Sequence, residues 1–241
     1  MPRLIDRGGR KTGRSPRVRG FTLLELLVVV GLIAALSTIL IKSIGNGGKS
    51  FSLKSAQSIM TGLVGVARSN AMASGRASRI LTHVDPANFG EPSRYLRYLV
   101  VQLQGVDGNW ATLAQVYLPD GVYVVPGSST TLPAGLFSTA SGVPWTRADD
   151  TPLRSTALRA AQIRPEIIGG NPSELWCGIV FSSTATTFES GDIVFARGHP
   201  RQPGSYAEGE SPVELENPAD VRGVTLSNYG VPALIDTRLG F

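Results

Sequence analysis

Glu25 is the residue whose type and place most demand an account, because it is a carboxylate inside the otherwise apolar run Phe21 to Ile41, FTLLELLVVVGLIAALSTILI. An intramembrane acid costs roughly 2.5 to 3.5 kcal/mol on insertion scales and usually meets a partner charge. Two readings follow: Glu25 lies close enough to the interface to stay hydrated, or it meets a positive charge within an assembly. Other candidates are weaker. His83 and His199 are the two histidines of the chain, too few and too far apart to suggest a metal cluster; they read as a strand-end residue and as a loop residue beside Pro200. No Gly-x-Ser-x-Gly elbow and no Ser, His and acid grouping stands out. Gly45-Asn46-Gly47-Gly48-Lys49-Ser50 ends like a phosphate-binding loop, but Ser43 occupies the place of the first glycine and no strand precedes it. Glu208, Glu210, Glu214, Glu216 and Asp220 form an acidic run without the spacing of a calcium loop, so a solvated loop is the preferred reading. Cys177 is the one cysteine; it cannot form an intramolecular disulfide and reads as a small buried hydrophobe. No enzyme activity, metal or cofactor is expected.

The element that must position Glu25 is a helix. The 21 residues Phe21 to Ile41 span about 31 Å at about 1.5 Å per residue, which matches a bilayer core of about 30 Å. Charge sets the orientation. Residues 1–20 hold seven of the 23 basic side chains and one of the 18 acidic ones, which leaves 16 basic and 17 acidic beyond them. The positive-inside rule keeps residues 1–20 in the cytoplasm and sends the remainder across. The basic balance of the whole chain thus belongs to the leader, and nucleic acid is not expected as a partner.

An ordinary secretory signal, with an apolar region of about 7 to 15 residues, is too short for this run. A lipoprotein signal needs a cysteine near its end, and Cys177 is remote. A plain uncleaved anchor leaves the conjunction of Gly20, Phe21 and Glu25 without a reason. Gly20-Phe21-Thr22-Leu23-Leu24-Glu25 resembles the type IV prepilin signature. The resemblance implies cleavage after Gly20 by a membrane aspartic prepilin peptidase and N-methylation of the new terminus, Phe21. It also implies pairing of Glu25 with the Phe21 amine of a neighbouring subunit during assembly.

Downstream, three glycines in Gly45–Gly48 are expected to interrupt the helix as a hinge or cap. Phe51, Ala56, Ile59, Met60, Leu63, Val64, Ala67 and Ala71 then recur at helical spacing, which predicts an amphipathic helix from Ser50 to about Ser74 with Gly75 as its stop. From Ala77 onward the pattern is that of strands: Arg79–Val84, Tyr95–Gln104, Thr112–Leu118, Val122–Val125, Leu175–Phe181, Asp192–Ala196, Val221–Ser227 and Pro232–Asp236, with a turn at Pro119-Asp120-Gly121. Residues 126–152 and 198–219, rich in turn formers, read as surface loops rather than core. One long helix followed by many strands predicts an α+β fold with the helix on antiparallel sheet. The expected organisation is a cleaved leader (1–20), a transmembrane and assembly half-helix (21–44), a hinge and amphipathic half-helix (45–76), and a β-rich globular domain (77–241).

The closing strands, with Phe181, Ile193 to Phe195, Val224 to Leu226 and a hairpin glycine at Gly230, are similar to those of GspH/FimT-type minor pseudopilins. The resemblance implies a structural subunit, minor in abundance, of a type IV pilus or type II secretion pseudopilus. It would sit in the inner membrane as a single pass with a periplasmic domain before entering a filament. Its partners would be the prepilin peptidase, other pilin or pseudopilin subunits, the inner-membrane assembly platform and membrane lipid. From a different class, a membrane-anchored periplasmic binding or sensor module that never polymerises is the competing reading, favoured if the leader is retained.

Overall fold

The computed structural model describes residues 23–86, 94–127, 132–158, 160–163, 174–187 and 189–241; within 24–49 the side chains of Leu27, Val28, Val30 and Leu32 are described, and within 160–163 none. The chain divides into two compact units, Met1–Asn46 and Gly47–Phe241. In the first, the described part is helical from Leu23, the start of α1 (Leu23–Ser74).

Helix assignment is unbroken through Gly45–Gly48, where the sequence predicts an interruption. Each glycine costs about 1 kcal/mol relative to alanine, a bias that helical turns on either side outweigh. The boundary between the compact units nevertheless falls inside this segment. At its other end the helix stops as expected: Gly75 adopts φ +65°, and the Arg76 N–H donates to the Ala71 carbonyl at 3.3 Å, a Schellman-type closure that glycine permits.

In the second unit the residues of α1 that enter the core are Leu53, Ala56, Met60, Leu63, Val64, Ala67 and Ala71. Their spacing of three and four keeps one stripe inward. Phe51, expected on that stripe, is 73 % exposed, because five residues before Ala56 places it well round the helix; Leu53 takes the inward place. Gln57 is buried too, its amide nitrogen donating to the carbonyls of Gly223 (2.8 Å) and Ile235 (2.9 Å).

Among the described residues ten strands follow: β1 (Ser78–His83), β2 (Tyr98–Gln104), β3 (Trp110–Tyr117), β4 (Val122–Val124), β5 (Ala160–Ile163), β6 (Trp176–Phe181), β7 (Gly191–Pro200), β8 (Val213–Leu215), β9 (Val221–Leu226) and β10 (Pro232–Ile235). One sheet has the order β3-β2-β1-β6-β5, the other β10-β9-β7-β4 with β8 beside β7. The pairings within these sheets are antiparallel. The fold is α+β, one helix against antiparallel sheet. The inner faces of both sheets, with Ile80, Leu99, Ile179, Phe181, Ile193 and Val224, join the helix stripe in one hydrophobic cluster.

All eight expected strands are present, and two more, β5 and β8, were hidden in segments without alternation. The two presumed surface loops are corrected in part. Leu136, Val213 and Leu215 are fully buried, Phe137 bridges to Leu215, and β7 extends to Pro200. Isolated apolar residues among turn formers supply these contacts, and periodicity cannot register single residues.

Candidate functional site

Gly20 and Phe21, the expected cleavage and methylation positions, lie outside the described residues. Glu25 lies in the first turn of α1 by its backbone, and its side chain is outside the described set. Around it, Leu23 (81 %), Leu27, Val28, Val30 and Leu32 are all largely exposed. At roughly 100° per residue these five side chains point to more than one side of the helix. Apolar side chains exposed on more than one side of a helix need apolar surroundings there, supplied by lipid or by other helices. Among the described residues no helix is long and apolar enough to cross a membrane; the span Phe21–Ile41 rests on the sequence.

The remaining candidates are dispersed. His83 ends β1 as expected, but it is buried beside Trp176 (ring centroids 5.1 Å apart, edge to face) and 3.8 Å from Glu174. Burial, reinforced by the Arg94 guanidinium and opposed by Asp85, lowers its pKa to about 4. At neutral pH it is uncharged, so the ion pair in this cluster is Arg94 with Glu174, at 2.8 Å and almost wholly buried. Sequence reasoning missed that pair; nothing in the chain links two residues 80 positions apart.

His199 corrects the loop reading. It lies in β7, half-exposed, with Nδ1 3.5 Å from Glu216. The acidic run is likewise not a solvated loop throughout. Glu210 pairs with Arg201 at 3.0 Å, Glu216 stands 3.9 Å from Arg197, and Glu214 belongs to β8. Their cations come from β7 and the residue after it, outside the acidic stretch in sequence. Among the described residues no group of three or more His, Cys, Asp and Glu side chains is placed to hold a metal ion. Cys177 packs inside the main core cluster at 1 % exposure. Gly45–Ser50 is helical, the opposite of a loop that wraps a phosphate.

The prokaryotic N-terminal methylation motif matches residues 15–41. No curated protein matches the chain. Among solved structures, the minor pseudopilin EPSH from the type II secretion system of Vibrio cholerae is similar to this chain at 14 % identity, over 76 % of this chain and 95 % of that one, with a TM-score of 0.36. The matched segment contains Gly20, Phe21 and Glu25 together with the leader residues from Ser15 and the apolar run to Ile41. The chain carries a prepilin-type N-terminal methylation motif at residues 15–41.

Proposed function

We propose that this chain is a pilin or pseudopilin subunit, made as a prepilin, cut between Gly20 and Phe21, methylated on the Phe21 amine and assembled through its N-terminal helix. The observation that carries the reading is the methylation motif over residues 15–41. The exposed apolar side chains of Leu23, Leu27, Val28, Val30 and Leu32 support it, since such a surface calls for neighbouring helices or lipid. Glu25 supplies the counter-charge for the Phe21 amine of an adjacent subunit, and the globular unit Gly47–Phe241 is carried on the helix. The role is structural, minor in abundance, and the catalysis belongs to the prepilin peptidase. Inner-membrane insertion with a periplasmic domain, contact with lipid and the assembly platform, and entry into a pilus or secretion pseudopilus complete the proposal. Mass and N-terminal sequence of the membrane-extracted protein test it. A chain beginning at N-methylated Phe21 is expected; residues 1–20 retained on the mature protein would overturn the reading.

A further inference from the structure

Among the described residues β10 is the outer strand of its sheet and pairs on one side only, with β9. The hairpin closes with the Ser227 N–H donating to the Val231 carbonyl at 3.1 Å, and the register sets Ala233 against Thr225 and Ile235 against Gly223. Antiparallel alternation then directs the backbone groups of Ala233 and Ile235 toward β9. The Pro232 carbonyl and both backbone groups of Leu234 are left on the open side. Such an edge is a template for another extended chain.

Beside this edge lies a groove of about 620 Å³ between α1 and β10. Helix and strand run antiparallel along it. At one end Arg222 bridges Ser50 (3.1 Å) and Asp236 (2.5 Å), in the middle Gln57 holds Ile235, and beyond the groove Arg68 meets Gly230. Gly62 presents open space, with no atom within 4 Å of where a Cβ would stand, and the Leu234 side chain is 59 % exposed. The Thr61 hydroxyl is buried without a hydrogen-bond partner. Lys54 and Asp236 both line the groove; Asp236 is committed to Arg222, and among the described residues Lys54 forms no ion pair.

We propose that this groove docks an extended segment of a partner polypeptide, which adds as a strand along β10 with apolar side chains over Gly62 and Leu234 and an acidic residue at Lys54. Main-chain bonds supply affinity in this mode and alternate side chains supply selectivity. The Lys54 end coincides with the Asp236 end of β10, so a segment antiparallel to β10 carries its acid at its N-terminal end. A second copy paired β10 to β10 would bring its Asp236 to the Pro232 end, away from Lys54, and leaves that charge unmet. The site lies wholly within Gly47–Phe241 and does not depend on leader cleavage or filament assembly.

The test is fluorescence anisotropy of the full chain in detergent micelles with a labelled, N-acetylated, C-amidated hexapeptide EVTVTV, against KVTVTV and against EVTVTV with alternate backbone nitrogens methylated. Saturable binding of EVTVTV is expected, at least fivefold weaker for KVTVTV and at least tenfold weaker for the methylated peptide. Gly62→Trp, which fills the groove from an exposed helix face, should weaken binding at least tenfold, and Lys54→Glu should reverse the preference between the two peptides. Leu113→Lys on β3, the edge of the other sheet, should change nothing. The proposal is overturned by absence of saturable binding to millimolar peptide, by indifference to backbone methylation or to Gly62→Trp, or by a Leu234→Cys variant that crosslinks to itself as a β10-paired dimer.

Discussion

Glu25 stands in an apolar run of the sequence and His83 is buried beside Trp176 and Glu174, and the two meet the cost of a charge in opposite ways. His83 stays neutral. Its ordinary pKa of 6.5 falls to about 4 in the folded protein, so the unfolded chain takes up a proton first as the pH drops. Its contribution is fully present above about pH 6.5 and is lost progressively as pH falls toward 4, on the order of 3 kcal/mol in all. In His83→Leu the urea midpoint should vary less between pH 7 and pH 4.5 than in the parent; equal slopes would show that His83 does not titrate this way. Glu25, in the proposed assembly, keeps its charge and borrows a partner. Glu25→Val should therefore leave insertion and leader cleavage intact while the fraction recovered in sheared filaments falls, since breaking a buried pair leaves one member alone at about 3 to 5 kcal/mol. A cleaved, stable variant that assembles like the parent would reduce Glu25 to an interfacial carboxylate.

At the scale of elements, α1 shows how much was legible and why the rest was not. Its inward stripe from Ala56 to Ala71 follows from spacing alone, as do its stop at Gly75 and eight of the ten strands. The glycines at 45–48 misled because propensity is a small bias beside the cooperativity of a long helix. β5 and β8 were invisible because each is short and held by its neighbours: β8 contributes a few residues beside β7, and β5 matches β6 at Ala160 and Ile163 with a register shift between them. The candidate site divides the same way. The motif around Gly20 and Glu25 is contiguous and could be read, whereas the groove at Lys54 and Leu234 exists only after helix and last strand meet. Two glycines of α1 allow a signed test. Gly65 sits mid-helix with open space around it, so Gly65→Ala should raise stability by up to about 1 kcal/mol. Gly75 holds φ +65°, and Gly75→Ala should lower stability by about 1 to 2 kcal/mol. Denaturant midpoints moving in the same direction would contradict the assignment of the helix end.

For the whole molecule, charge is partitioned rather than spread. Beyond residue 20 the basic and acidic side chains are almost equal in number, and much of the basic set is engaged: Arg94 with Glu174, Arg97 with Asp120, Arg147 with Asp192, Arg201 with Glu210 and Arg222 with Asp236. Phosphate binding needs clustered cations that can displace counterions. Processed protein should accordingly give no steeply salt-dependent shift of duplex DNA at 50 mM salt, and micromolar binding that weakens with added salt would refute this.

The order in which the chain fills its two sheets has a consequence for delivery. Strands β1 to β3 enter the first sheet, β4 the second, β5 and β6 return to the first, and β7 to β10 complete the second. β1 lies between β2 and β6, in register from Ser78↔Phe181 to His83↔Trp176, and Gln57 finds its acceptor on Gly223, 166 positions later. β1 to β3 can pair among themselves as a meander, but the other side of β1 and the Gln57 amide wait for partners far along the chain, and contacts this distant in sequence form slowly. If the chain crosses a membrane N-terminal helix first, as the proposed function requires, the first sheet stays open beside β1 until β6 has passed. The interleaving of the sheets thus ties completion of both sheets to the second half of the chain.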